Sequence, residues 1–129
     1  MNIFLRNNYG IILNQFGFNE ILNEIILNII EPISKYLFPN HIKSEDSFKS
    51  NHSFLIKYKI GEDISLKEHI DQSDITLNVC LGKEFKGSEV YFKGLKNDNE
   101  SKDQYFEYHS TIGNSIIHLG NHVGFQFYF

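Results

Sequence analysis

The sequence predicts an α+β fold: one domain spanning residues 1–129, with a helical lead-in over 1–50 and a jelly-roll core over 51–129. Three observations predict it. Apolar residues recur at helical spacing between Phe18 and Phe38, short β-rich runs follow from Ser53 onward, and glycines punctuate those runs. A helical cover followed by many short strands is how a helix comes to lie over an antiparallel jelly roll.

The bulk properties set outer limits. A chain of 129 residues can bury one real core but is too short for two. With 41% hydrophobic and 15% aromatic residues, 12 of them Phe, the chain is too apolar for a disordered class. A net charge of −4 gives no basic surface for nucleic acid. The single cysteine, Cys80, sits in an apolar run and reads as a buried structural thiol. Residues 1–10 lack a continuous apolar core of the signal-peptide kind, and no stretch reaches bilayer-crossing length. The expectation is a cytoplasmic protein without a membrane partner.

Taken in order, residues 7–10 read as a turn and Gly17 as another. Phe18, Ile21, Leu22, Ile25, Ile26, Ile29, Ile30, Ile33 and Leu37 form the apolar stripe of a covering helix, with Leu27 on its outer face. Asn19 is the expected N-cap, and Glu20 suits the first turn. Pro32 either kinks this helix or opens a second one. Residues 39–51 are polar and loop-like. Strands are expected at 53–60, 75–81, 88–92, 105–109, 115–119 and 125–129, with a turning segment at 61–68 and a solvated loop at 96–103.

The chemistry centres on His69-Ile70-Asp71, just ahead of the run Ile75–Leu81. Side chains two apart on an extended backbone point the same way, so this imidazole and carboxylate can converge on one point. His-x-Asp supplies two thirds of the 2-His-1-carboxylate set that binds Fe(II) and leaves positions open. The bare pair is weakly specific, because surface His–Asp couples are common. A third ligand is expected from a downstream strand, where His118 and His122 are both available. His41, His52 and His109 read as loop or edge residues.

The wider pattern is more specific. Residues 51–63, then Leu66-Lys67-Glu68-His69-Ile70-Asp71, then Ser73–Gly82, then Phe85–Phe92 resemble the prolyl/lysyl-hydroxylase-type 2-oxoglutarate and Fe(II)-dependent dioxygenases. Arg6–Gly10 and Pro32–Pro39 resemble the lead-in of one branch, the 2-oxoglutarate and iron-dependent oxygenase domain-containing protein 2 branch. The resemblance implies a double-stranded β-helix holding Fe(II) at its mouth, with His69 and Asp71 as ligands and His122 (failing that, His118) as the third. It implies Tyr58 and Asn78 as contacts to 2-oxoglutarate. Read without it, they are a half-buried strand tyrosine and a strand asparagine satisfied by backbone. It also implies O₂ and a peptide or protein side chain as substrates, with ascorbate as reductant.

Two departures temper the resemblance. The family carries a second His two residues beyond His122, where this chain has Gly124. The family also places an Arg or Lys roughly ten residues past its last His, where a guanidinium clamps the distal carboxylate of 2-oxoglutarate. This sequence reaches Phe129 before that position and before the final core strand. Two hypotheses therefore stand: a dioxygenase, and a truncated or divergent jelly-roll domain that binds a partner without catalysis.

Overall fold

The computed structural model describes residues 10–42, 44–59, 61, 65–83, 87, 89–95 and 104–127. Residues 7–9 of the first expected turn, the expected loop at 96–103 and the last two residues of the expected closing strand lie outside that set. The chain divides into two compact units, Met1–Lys57 and Tyr58–Phe129.

In the first unit, β1 (Gly10–Ile12) pairs antiparallel with β2 (Phe54–Ile56), and Leu13 N donates to Ser53 O at 2.9 Å to extend the ladder. A 3₁₀ turn at Leu13–Phe16 ends on Gly17, whose φ of 81° suits a residue without a Cβ. Then come α1 (Asn19–Ile25), a π-helical turn (Ile26–Ile30) and α2 (Glu31–Leu37). Pro32 lies in the first turn of α2, directly after the π-helical turn; the three segments run on without a break, so its missing N–H falls where the helix is already widened.

Two expectations for this segment are corrected. Asn19 is not the cap; Phe18 holds that place without a side-chain bond. Asn19 is drawn instead to Asn14, whose Nδ2 donates to Asn19 Oδ1 at 3.1 Å while Asn19 Nδ2 donates to Asn14 O at 3.3 Å. The apolar stripe also splits. Leu22, Ile26, Ile30, Ser34 and Phe38, every fourth residue, form the less exposed row, whereas Phe18, Ile21, Ile25, Ile29, Ile33 and Leu37 are exposed. The π-helical turn widens the helical repeat, so a row at four-residue steps keeps one bearing.

The second unit holds two small antiparallel sheets. One has strand order β3-β8-β5-β6, with β3 at Ser65–Ile70, β5 at Val90–Leu95, β6 at Tyr105–Tyr108 and β8 at His122–Phe127. The other pairs β4 (Ile75–Val79) with β7 (Ser115–Leu119). The whole is α+β with small antiparallel sheets, compatible with a partial jelly roll. The segment expected to turn over 61–68 is strand from Ser65 onward. Its Lys-Glu-His composition carries no β signal of its own, and pairing with β8 supplies the order. Conversely, the strand expected over 53–60 stops at Ile56, leaving Tyr58 just beyond it.

Among the described residues the buried apolar side chains are Phe92 and Leu119. The Phe92 ring lies 4.7 Å from His118 and 6.4 Å from Phe106, centroid to centroid. Burying such a ring contributes about 2–3 kcal/mol. Here that apolar wall stands directly against an imidazole. Cys80 is half-buried, and its backbone joins the turn after β6: Cys80 N donates to Asn114 O and Gly113 N to Cys80 O. No helix among the described residues is long and apolar enough to cross a membrane.

Candidate metal centre

Asp71 follows the last residue of β3, and two backbone bonds fix it there. Asp71 N donates to Gly120 O at 3.0 Å, and Gly120 N donates to Asp74 O at 3.1 Å. Gly120 is crowded against this turn. A Cβ added there would fall 1.9 Å from Ser73 O and 2.7 Å from Ser73 Oγ. The close approach demands glycine, and it clamps the 71–74 turn to the end of β7.

Register does the rest. Thr76 on β4 pairs with His118 on β7, so both side chains stand on one face of that ladder, with Asn78 two residues on. Thr76 Oγ1 donates to Asp71 Oδ2 at 2.7 Å and accepts from Ser73 Oγ at 2.8 Å. His69 Nε2 lies 3.3 Å from Asp71 Oδ1, confirming that the two-residue spacing brings imidazole and carboxylate together. His118 Nε2 lies 3.8 Å from Asp71 Oδ2, while its Nδ1 is 2.9 Å from Leu119 O. That backbone carbonyl can only accept, so Nδ1 carries the proton and Nε2 keeps its lone pair.

His122 is placed differently. Its Nδ1 lies 3.1 Å from Lys93 O, and its ring is 6.5 Å from that of His118. Asn78 is exposed and only grazes the group, with Nδ2 3.5 Å from His118 Nε2. Tyr58 is half-buried outside the strands. Opposite His69 on β8 stands Gly124, which offers no donor; among the described residues a Cβ there would meet Phe92 Cε1, at 4.0 Å.

The electrostatics suit ligation. Burial alone would raise the Asp71 carboxyl, but hydrogen bonds from His69 and Thr76 and the nearby His69 and His118 outweigh it and hold the group below its ordinary value. Burial pushes His118 down, against the opposing pull of the Leu119 carbonyl and Asp71. Near neutral pH this presents a carboxylate beside a neutral imidazole, the states a divalent metal requires. In kind, then, the donors fit Fe(II). In closeness they are incomplete: among the described residues, the one trio of His, Cys, Asp or Glu ligand atoms within 4.8 Å of one another is Glu89, Glu107 and His109.

The OGFOD2-like domain matches residues 4–43. The 2-oxoglutarate and iron-dependent oxygenase domain-containing protein ICU11 of Arabidopsis thaliana is 36% identical over 121 residues, 90% of this chain and 30% of that protein. The 2-oxoglutarate and iron-dependent oxygenase domain-containing protein 2 of Xenopus tropicalis is 38% identical over 118 residues, 91% of this chain and 33% of that protein. The chain is a homologue of this oxygenase family. It spans about a third of the length of these relatives, 30% and 33%. Procollagen-lysine,2-oxoglutarate 5-dioxygenase 1 of Gallus gallus is 33% identical over 71 residues, 55% of this chain and 9% of that enzyme. No solved structure matches.

Thr76 and Gly120 were not singled out by the sequence pattern. Thr76 had a signal: it stands on the strand that follows the motif, with the alternation that also picks out Asn78. Gly120 had none, because its role is a contact distance.

Proposed function

We propose that this homologue is an Fe(II)- and 2-oxoglutarate-dependent dioxygenase domain with the double-stranded β-helix of that class, acting on a peptide or protein side chain. The observation that carries the reading is the His69–Asp71–His118 group, an ionised carboxylate flanked by two imidazoles beside the buried Phe92. His69 and Asp71 would hold the metal. His118 is the better third donor, because it is the imidazole at the Asp71 carboxylate, while His122 is turned to the Lys93 carbonyl. Bound iron supplies the redox chemistry that couples oxidation of 2-oxoglutarate by O₂ to hydroxylation. The chain's own residues hold and orient. Thr76 and Gly120 fix the Asp71 turn, Phe92 and Leu119 keep one side dry, and Asn78 with Tyr58 offers an amide and a phenol to a carboxylate. The names of the relatives support the co-substrate, and the procollagen-lysine enzyme supports a protein side chain as acceptor. Ascorbate as reductant belongs to the same reading.

The test is an anaerobic titration of Fe(II) and 2-oxoglutarate into the purified protein, followed by the visible charge-transfer band of the chelated complex. Its appearance supports the reading, and its absence in well-folded protein overturns it. One observation favours a second reading, a non-catalytic binding domain: the residue facing His69 across the ladder is Gly124, which has no donor.

A further inference from the structure

Among the described residues two buried side-chain oxygens lack a hydrogen-bond partner, Ser34 Oγ in the first unit and Tyr108 Oη in the second. Tyr108 lies on β6, in the same four-stranded sheet as His69. Its place there follows from register. His69, Gly124, Phe92 and Phe106 stand opposite one another across β3, β8, β5 and β6, so they share one face and one row. That face is the His118 side, because the Phe92 ring is 4.7 Å from His118. Tyr108 pairs with Val90, two residues on from Phe106, and therefore stands on the same face. It lies about 7 Å along the strands from the His69 row, on the side away from Asp71. A phenol O–H buried without an acceptor bears its whole desolvation penalty, and such a group is rare in a native fold unless something else meets it.

We propose that Tyr108 binds the far carboxylate of 2-oxoglutarate, donating its phenol proton to the end of the diacid that does not lie at the metal group. The inference rests on the dioxygenase reading, which brings that co-substrate to His69, Asp71 and His118. A five-carbon diacid has two carboxylates, and one alone can lie at that group. The other needs a donor on the same face, in apolar surroundings, where a hydrogen bond to a charged oxygen counts most. The half-buried Val90 and the buried Phe92 supply such surroundings. Lys93, the cation of β5, is on the opposite face, with Nζ 2.8 Å from Glu68 Oε2 and 5.8 Å from the centre of the Tyr105 ring. Tyr108 thereby selects among 2-oxo acids, favouring one that carries a second carboxylate.

The experiment uses the full chain saturated with Co(II), a spectroscopic divalent probe. It is titrated with 2-oxoglutarate and, separately, with 2-oxopentanoate, the same 2-oxo acid with a methyl in place of the far carboxylate. Tyr108→Phe removes the hydroxyl and keeps the ring. It should weaken 2-oxoglutarate binding by roughly 10- to 100-fold and leave 2-oxopentanoate binding unchanged. Without either acid, Tyr108→Phe should denature at the same midpoint as the parent protein or a higher one, because it removes an unpaired buried group. A phenol with a purely structural role would lower that midpoint. An unchanged affinity for 2-oxoglutarate, an equal loss for both acids, or a lowered midpoint overturns this inference and leaves the dioxygenase reading standing. A parent protein that takes up neither Co(II) nor 2-oxoglutarate overturns both.

Discussion

Two trios of potential metal donors lie in the second unit, and they are built on opposite terms. Glu89, Glu107 and His109 bring their ligand atoms within 4.8 Å of one another, yet His109 is 70% exposed. His69, Asp71 and His118 are less tightly gathered, but they are part-buried, with side-chain exposures of 23%, 29% and 11%. The first trio has proximity with less cover: His109 Nε2 lies 3.2 Å from Glu107 and its Nδ1 3.6 Å from Glu89, and both His109 and Glu107 are exposed. The second has a hydroxyl on the carboxylate, a carbonyl on one imidazole and a backbone clamp beneath the turn. Exposed ion pairs contribute little, because water screens them and long side chains lose freedom in forming them. Support and burial, rather than closeness alone, mark the chemical site.

The largest expected effect attacks the clamp. Gly120→Ala places a methyl against the Ser73 carbonyl and should cost about 3 kcal/mol, read as a lowered denaturation midpoint. An unchanged midpoint would mean that the turn yields freely. Next, Asp71→Ala should lower Co(II) affinity by more than about 100-fold, or about 2.7 kcal/mol, in calorimetric titration, while Glu107→Ala leaves it alone. The reverse ranking would transfer the metal site to the strand edge. Gly124→His adds an imidazole opposite His69, where a Cβ is in ordinary contact with the Phe92 ring, and should tighten Co(II) binding by about tenfold, or about 1.4 kcal/mol.

A pH series separates the two trios more gently. Both Asp71 and His118 are held below their ordinary values, so the folded state binds fewer protons than the unfolded chain. Stability therefore rises with pH. The share from His118 is complete above the ordinary imidazole value and is lost as pH falls from there through its folded value. The share from Asp71 is lost likewise, below the ordinary carboxylate range. Denaturant midpoints should fall between pH 7.5 and 5.5, less so in His118→Asn. The smallest effect is at the exposed trio, where His109→Ala should change stability by no more than about 0.5 kcal/mol.

Much of this was legible beforehand, and the parts that were not share a cause. The apolar spacing from Phe18 to Leu37 announced helix because a 3.6-residue repeat is a local property, whereas Pro32 left a kink and a second start equally open. The division of that stripe into an inner and an outer row was not legible, since it follows from the π-helical turn. The run Ile75–Val79 and the run Ser115–Leu119 read as strands from their β-branched residues. Ser65–Glu68 did not, because its strand state comes from β8, far along the chain.

The sequence by itself determined the pairing of His69 with Asp71, because a two-residue step on extended backbone fixes which side chains share a side. Tertiary structure alone decided which later imidazole meets them, since that depends on β4–β7 register and not on spacing. It turned His118 toward Asp71 and His122 toward a carbonyl, set glycine opposite His69, and brought Thr76 to the carboxylate. Local periodicity is written in neighbouring residues, but a ligand set is assembled from strands that only the fold makes neighbours.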